Sequence, residues 1–154
     1  MLKLSKHFIS SDRRAFTLIE LLVVIGMISI VTAVALPAFA MMQKNVSLKN
    51  YTKEIVSNLR QAQTQAITSQ NGSSHGIYFS NDQYIICEKD CTPAFRTTAY
   101  TIANGVSILQ GAGASVVFNR LTGNTTPQTI VIGFSGGKQN TITVDESGLI
   151  TTTY

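Results

Sequence analysis

The feature that most constrains this chain is a long apolar run near its start, residues 16–42, in which Glu20 is the only charged residue. As an α-helix this run extends about 40 Å, and the hydrocarbon core of a bilayer is about 30 Å thick. The run also contains residues that are less apolar or that disfavour a helix, namely Gly26, Ser29 and Pro37. Transmembrane helices tolerate such residues. The run therefore predicts a helix that is long enough to cross a membrane.

Residues 1–15, which precede the run, are polar and basic. Their charged side chains are Lys3, Lys6, Asp12, Arg13 and Arg14. They supply +3 of the formal net charge of +4, so the chain from Phe16 onward carries only +1. That charge is too small to attract nucleic acid by its net field. A basic flank before a membrane helix predicts that this end lies in the cytoplasm.

After residue 42 the apolar residues recur at steps of three or four, which marks one face of an amphipathic helix. They are Leu48, Tyr51, Ile55, Leu59, Ala62 and Ala66. We predict one long helix over residues 16–70, with an apolar part at 16–42 and an amphipathic extracytoplasmic part at 43–71. Asn71 and Gly72 are the expected C-cap.

Residues 72–154 are rich in Thr, Val, Ile, Gly and Asn, and they contain short β-prone runs. Strands are predicted at 76–80, 84–87, 106–109, 115–119, 129–134, 140–144 and 149–153. An antiparallel sheet packed on the apolar face of the helix would bury both, which predicts an α+β fold. His75 lies among small polar residues and is predicted to be an exposed loop residue.

The segment RRAFTLIELLVVI at residues 13–25 resembles the processing site of type IV prepilins and pseudopilins. In that family the residues before the cut, here residues 1–15, form a leader peptide that is removed. The resemblance implies that a membrane prepilin peptidase cuts between Ala15 and Phe16 and methylates the new amine of Phe16. It also implies a pilin-like fold, in which residues 72–154 form a β-rich globular domain. The family usually has Gly where Ala15 stands, and we expect the small alanine still to permit cleavage.

Glu20 and Pro37 are the two residues of the run with predicted roles. A carboxylate at membrane depth costs about 2.5–3.5 kcal/mol, and the freed amine of Phe16 would lie one helical turn away or be supplied by a neighbouring subunit. The alternative is a carboxylate near the end of an ordinary anchor that reaches the headgroups. Pro37 falls where many family members have a helix-distorting proline, and the alternative is a simple kink in a membrane helix.

A second segment, LRQAQTQAI at residues 59–67, is similar to the helix end of the GspH/FimT branch of minor pseudopilins and minor pilins. This resemblance implies a non-enzymatic minor structural subunit, at or near the tip, of a type IV pilus or type II secretion pseudopilus, with no cofactor. The implied partners are other pilin or pseudopilin subunits, prepilin peptidase, and an inner-membrane assembly platform with its ATPase. Before assembly the chain would be a single-pass protein of the bacterial inner membrane.

DNA binding in natural transformation is an alternative function, because some members of the branch use an arginine-bearing tail after a glycine near the C-terminus. Here Gly148 is followed by LITTTY, and no Arg or Lys follows Lys138. Phosphate contacts from the tail are therefore not expected. Arg96, Arg120 and Lys138 could still form a basic patch elsewhere.

A secreted globular protein is the other alternative, because residues 38–40, AFA, resemble a signal peptidase site and would release a chain that starts near Met41. The apolar run is longer than a typical signal segment. Glu20 also interrupts its beginning, and the amphipathic helix continues past the proposed cut. We therefore favour the pilin-like interpretation.

Cys87 and Cys91 are the only two cysteines, and export would carry them to an oxidising compartment. A disulfide across this short loop is the expected state. A metal site is the competing interpretation, but structural zinc takes four ligands and His75 is the only histidine after the leader.

Residues 133–137, GFSGG, match the G-x-S-x-G nucleophile pattern. That pattern needs a strand-to-helix turn and a later histidine, whereas a strand is predicted next and His75 comes earlier. We predict a hairpin turn at these residues and no catalysis.

Overall fold

The long helix α1 spans Leu18–Ile67 in a computed structural model that describes residues 16–154 of the protein. The predicted helix over residues 16–70 is therefore correct to within three residues at each end. The described residues divide into two compact units, one ending at Ala40 and one from Met41 to Tyr154. Each unit has its own architecture.

The first unit is the N-terminal part of α1, and its side chains from Phe16 to Leu36 are all exposed. It contains the apolar run, so one helix in the described chain has the length and composition to cross a membrane, with a mean hydropathy of 2.6 over its most apolar window. Pro37 lies within α1. The predicted kink at Pro37 stays a prediction.

The second unit combines the rest of α1 with eight strands and two short 3-10 turns, Gln70–Gly72 and Pro93–Phe95. The strands are β1 (His75–Phe79), β2 (Gln83–Glu88), β3 (Arg96–Thr101), β4 (Ser107–Gln110), β5 (Ser115–Phe118), β6 (Gln128–Gly133), β7 (Gln139–Val144) and β8 (Ile150–Thr153). They form two antiparallel four-stranded sheets rather than the single sheet that we predicted. The first sheet has the order β3-β2-β1-β5 and the second has the order β4-β6-β7-β8.

The core of the second unit lies between the apolar face of α1 and the inward residues of both sheets. From α1 it contains the predicted residues Leu48, Ile55, Leu59, Ala62 and Ala66, with Tyr51 half-buried against them. From the sheets it contains Ile77, Phe79, Tyr84, Val116, Phe118, Ile130, Ile132, Ile142 and Val144. Each fully buried large apolar side chain contributes about 1.5–3 kcal/mol, so this packing is what holds the helix and the sheets together.

The end of α1 is closed by Ser69 and by the connection between β5 and β6, not by Asn71 and Gly72 as predicted. The carbonyl of Ala66, in the last turn of the helix, accepts from the amides of Ser69 and Leu121, both at 3.0 Å. Ser69, with φ of 53°, takes the left-handed conformation where the chain leaves the helix. Asn71 and Gly72 belong to the following 3-10 turn.

His75 is the first residue of β1 and is only 3% exposed, so its prediction as an exposed loop residue was wrong. Its Nε2–H donates to the carbonyl oxygen of Gln70 at 2.9 Å. The polar residues before it form a turn that folds back over the ring, which explains why local composition suggested a loop.

Candidate processing and assembly site

Phe16, the residue expected to become the new N-terminus, is the first residue that the structure describes, and its side chain is 77% exposed. Ala15, on the other side of the predicted cut, lies outside the described residues, as does the leader. The helix begins two residues after Phe16, at Leu18. Cleavage between Ala15 and Phe16 remains a prediction.

Thr17 caps the start of α1, a role that our sequence analysis missed. Its Oγ1 accepts a hydrogen bond from the amide of Glu20 at 3.3 Å, and its carbonyl accepts one from the amide of Leu21 at 3.2 Å. A helix start leaves free amides that a threonine hydroxyl can satisfy. The signal was present, because Thr-x-x-Glu is the capping-box pattern.

Glu20 lies in the first turn of α1 and is exposed. The positive end of the helix dipole favours a carboxylate at this position. Among the hydrogen bonds and ion pairs within residues 16–154, none involves this carboxylate. Its acceptor oxygens are therefore open to a partner.

The apolar helix that follows satisfies its own polar groups. The hydroxyl of Ser29 donates to the carbonyl of Ile25 at 2.8 Å, and the hydroxyl of Thr32 donates to the carbonyl of Ile28 at 2.7 Å. Such bonds to the preceding turn remove the cost of placing hydroxyl groups in hydrocarbon. From Leu21 to Leu36, this helix presents only apolar side chains and internally bonded hydroxyls to its surroundings.

Cys87 and Cys91 form a disulfide, with their Cα atoms 5.0 Å apart. Both are buried, at 0% and 4% exposed. The bond closes the loop that follows β2. Within residues 16–154, no group of three or more His, Cys, Asp or Glu side chains could hold a metal ion.

The features considered for other functions have structural explanations. The GFSGG segment ends β6 and turns into β7, so it is the predicted hairpin turn. Arg96 stacks over the ring of Tyr78 with 3.8 Å between the guanidinium carbon and the ring centroid. Arg120 donates to the carbonyl of Gly72 at 3.0 Å. Both arginines thus make contacts within the domain.

The comparisons with known proteins agree with this geometry. Residues 10–36 match the family profile described as the prokaryotic N-terminal methylation motif, and residues 52–148 match the one described as type II transport protein GspH. A solved structure, the minor pseudopilin EpsH from the type 2 secretion system of Vibrio cholerae, is 18% identical with a TM-score of 0.54. The similarity covers 70% of this chain and 96% of that one, and it confirms the pilin-like arrangement of a long helix and antiparallel sheets. Among curated protein sequences none matches this chain.

Because the profile over residues 52–148 covers more than half of the chain, the protein belongs to the GspH family of type II transport proteins.

Proposed function

We propose that this chain, a minor pseudopilin subunit of type II secretion, joins a pseudopilus through its N-terminal helix after cleavage between Ala15 and Phe16. The leader would be removed by prepilin peptidase, and the amine of Phe16 would be methylated. Membership of the GspH family and the N-terminal methylation motif support this proposal. The protein then acts as a structural subunit.

The observation that carries the proposal is the open carboxylate of Glu20 at the start of an exposed apolar helix. In a bilayer this carboxylate costs about 2.5–3.5 kcal/mol unless it is paired. Cleavage creates an amine at Phe16, one helical turn before it. Pairing with that amine, or with the amine of a neighbouring subunit, removes the cost and sets the axial position of one helix against the next.

The basic leader and the apolar helix support a single-pass orientation, with the N-terminus in the cytoplasm and the β-rich domain on the other side of the inner membrane. Assembly then moves the exposed apolar residues of α1 from lipid into contact with other helices. Extraction of such a helix from the bilayer needs an energy source. An assembly platform with an ATPase is the partner class that would supply it.

The intact mass of the membrane-bound protein tests the processing step. The full precursor is expressed in a bacterium with and without a prepilin peptidase. With the peptidase we expect a chain that starts at Phe16 and carries one added methyl group. A chain that starts near Met41 would instead identify a conventional secreted protein, and an unchanged precursor in both strains would contradict the proposal. An Ala15→Gly precursor should be processed at least as fast as the natural one.

Glu20→Gln tests the assembly step, because it keeps the shape of the side chain and removes its charge. We expect normal cleavage and a loss of the subunit from purified filaments. Glu146→Gln is the matched control, since Glu146 is an exposed carboxylate of the globular domain. Equal incorporation of the two variants would show that the charge of Glu20 has no part in assembly.

A further inference from the structure

Strand β8 forms one edge of the second sheet and pairs only with β7. The amide of Asp145 donates to the carbonyl of Leu149 at 3.1 Å, so the backbone groups of Leu149 point toward β7. Backbone groups alternate in direction along a strand of an antiparallel pair. The N–H and C=O groups of Ile150 and Thr152 therefore point away from β7, toward the unpaired edge of the sheet, where Ile150 is 8% exposed and Thr152 is half-buried.

Natural edge strands are protected by their shortness, by lysines, prolines or bulges, or by a covering helix or loop. Strand β8 is short, with four residues, but it carries none of the protecting residues or bulges. Residues 149–154, LITTTY, contain no charged side chain and no proline, and the pairing of β7 with β8 is regular over its four residue pairs. Leu149 and Tyr154, at either end of the strand, are 60% and 57% exposed.

A groove lies between helix α1 and the residues that lead from β7 into β8, and a hydrogen bond from Gln63 to the carbonyl of Gly148 crosses it. Arg60, Gln63 and Thr64 of the helix line one side, and residues 147–150 line the other. The cavity measures about 550 Å³. Ile150, whose backbone groups are unpaired on this side, therefore borders the groove.

The flank of α1 that includes Arg60 is positively charged. At 100° per residue, Lys49, Lys53 and Arg60 lie within about 40° of one another around the helix axis, and all three are exposed. Within residues 16–154 these three cations form no ion pair. We call them the basic stripe.

We propose that the groove between α1 and β8 binds an extended acidic segment of another protein chain, which adds to the second sheet as a fifth strand beside β8. The open N–H and C=O groups of Ile150 and Thr152 would pair with the backbone of that segment, as in other cases of strand addition. Arg60, the member of the basic stripe that lines the groove, would favour acidic side chains in that segment. A nucleic acid backbone fits this edge less well, because its phosphates would meet the open carbonyl oxygens.

This inference goes beyond the proposed function and does not depend on it, since the groove lies entirely within the second unit. A failure of N-terminal processing would leave it unchanged. Another subunit of the same filament is the simplest source of such a segment, and the chemistry of the groove defines the segment by its extended backbone and negative charge.

Amide resonances of the full chain in detergent micelles provide the test. The probe is a short capped peptide of alternating valine and glutamate, which is titrated into the isotope-labelled protein. We expect the largest shifts at Ile150 and Thr152. The same peptide N-methylated on the amides that would face β8 should cause no shifts there, because it cannot donate to the strand edge.

Variants separate the two parts of the recognition. Arg60→Glu should weaken peptide binding about fivefold or more, in line with about 1 kcal/mol for an exposed charge pair. Lys138→Glu is the matched control, since Lys138 is an exposed cation in the turn between β6 and β7, and this variant should bind the peptide like the natural protein.

Thr152→Pro tests the strand edge. It removes one unpaired N–H without changing the hydrogen bonds to β7, so it should abolish peptide binding while the resonances of the other residues stay in place.

Three results would overturn the proposal. One is the absence of shifts at Ile150 and Thr152 at saturating peptide. The second is equal binding of the N-methylated peptide or of a valine–lysine counterpart. The third is a short DNA duplex that shifts these amides when the acidic peptide does not.

Discussion

The side chain of Gln63 donates a hydrogen bond from its Nε2 to the backbone carbonyl of Gly148 at 3.0 Å. The bond joins helix α1 to the turn between β7 and β8, across 85 residues of sequence. Gly148 has φ of +81° and lies against Gln63 and the carbonyl of Gly123. Contacts of such long sequence separation fix the position of the second sheet on the helix.

Gly148→Ala should lower the free energy of unfolding by about 2–5 kcal/mol. The left-handed conformation costs a non-glycine residue about 1–2 kcal/mol, and the new methyl group would overlap Gln63 Nε2 and the Gly123 carbonyl oxygen, which adds about 1–3 kcal/mol. Denaturant unfolding followed by far-UV circular dichroism measures the difference.

Gly113→Ala is the control for backbone strain alone. Gly113 has φ of +85°, and a methyl group there would meet no atom within 4 Å. The free energy of unfolding of this variant should fall by only about 1–2 kcal/mol. Equal losses at the two glycines would show that the close packing around Gly148 contributes nothing.

Tyr84→Phe should make the protein less stable near neutral pH and less sensitive to alkali. The hydroxyl of Tyr84 donates to Glu54 Oε1 at 2.7 Å and accepts from Asn58 Nδ2 at 2.9 Å, so its loss costs about 1–2 kcal/mol. Burial, then the hydrogen bond and negative charge of Glu54, raise the pKa of Tyr84 well above its usual value.

The raised pKa sets the sign of the pH dependence. Above about pH 10 the unfolded chain releases the tyrosine proton and the folded chain keeps it. The stability from Tyr84 is therefore fully present below pH 10 and decreases as the pH rises toward the raised pKa. The free energy of unfolding should change less between pH 8 and pH 11 in Tyr84→Phe than in Tyr154→Phe. Tyr154 is an exposed tyrosine and serves as the control. The same pH dependence in both variants would contradict this assignment.

The fold could be predicted from the sequence wherever burial leaves a periodic pattern. The apolar face of α1 and seven of the eight strands correspond to predicted segments, because their inward residues are spaced by helix or strand geometry. Strand β3 was missed since it is an edge strand with mostly exposed residues, so Thr97, Thr98 and Ala99 carry no such pattern. The division into two sheets depends on pairing between distant strands, which no local pattern encodes.

The same distinction, between features encoded locally and features that depend on distant contacts, applies to the candidate site. The match of residues 10–36 to the N-terminal methylation motif agrees with the motif seen in the sequence, whereas the roles of Phe16 and Glu20 stay predictions. The cap formed by Thr17 was also encoded locally, as a Thr-x-x-Glu pattern. The burial of His75 could not be predicted, since it depends on the carbonyl of Gln70 folding back over a strand.

The disulfide between Cys87 and Cys91 should contribute about 2 kcal/mol, the loop-closure entropy of a short loop. The free energy of unfolding of the double variant Cys87→Ala/Cys91→Ala should be lower by this amount. Reduction of the natural protein should have a similar effect, whereas the reductant should not change the stability of the double variant. A protein whose unfolding is the same with and without reductant would show that the bond adds no stability.

Thr17→Val should loosen the first turn of α1. The substitution keeps the shape of the side chain and removes the oxygen that accepts the Glu20 amide. An N-cap is worth about 1 kcal/mol, so hydrogen exchange of the Glu20 amide in detergent micelles should become about fivefold faster. Thr17→Ser retains the hydroxyl and should exchange like the natural protein. Unchanged exchange in Thr17→Val would mean that the helix start is held by its surroundings and not by this cap, in which case the carboxylate of Glu20 would owe its position to the apolar helix alone.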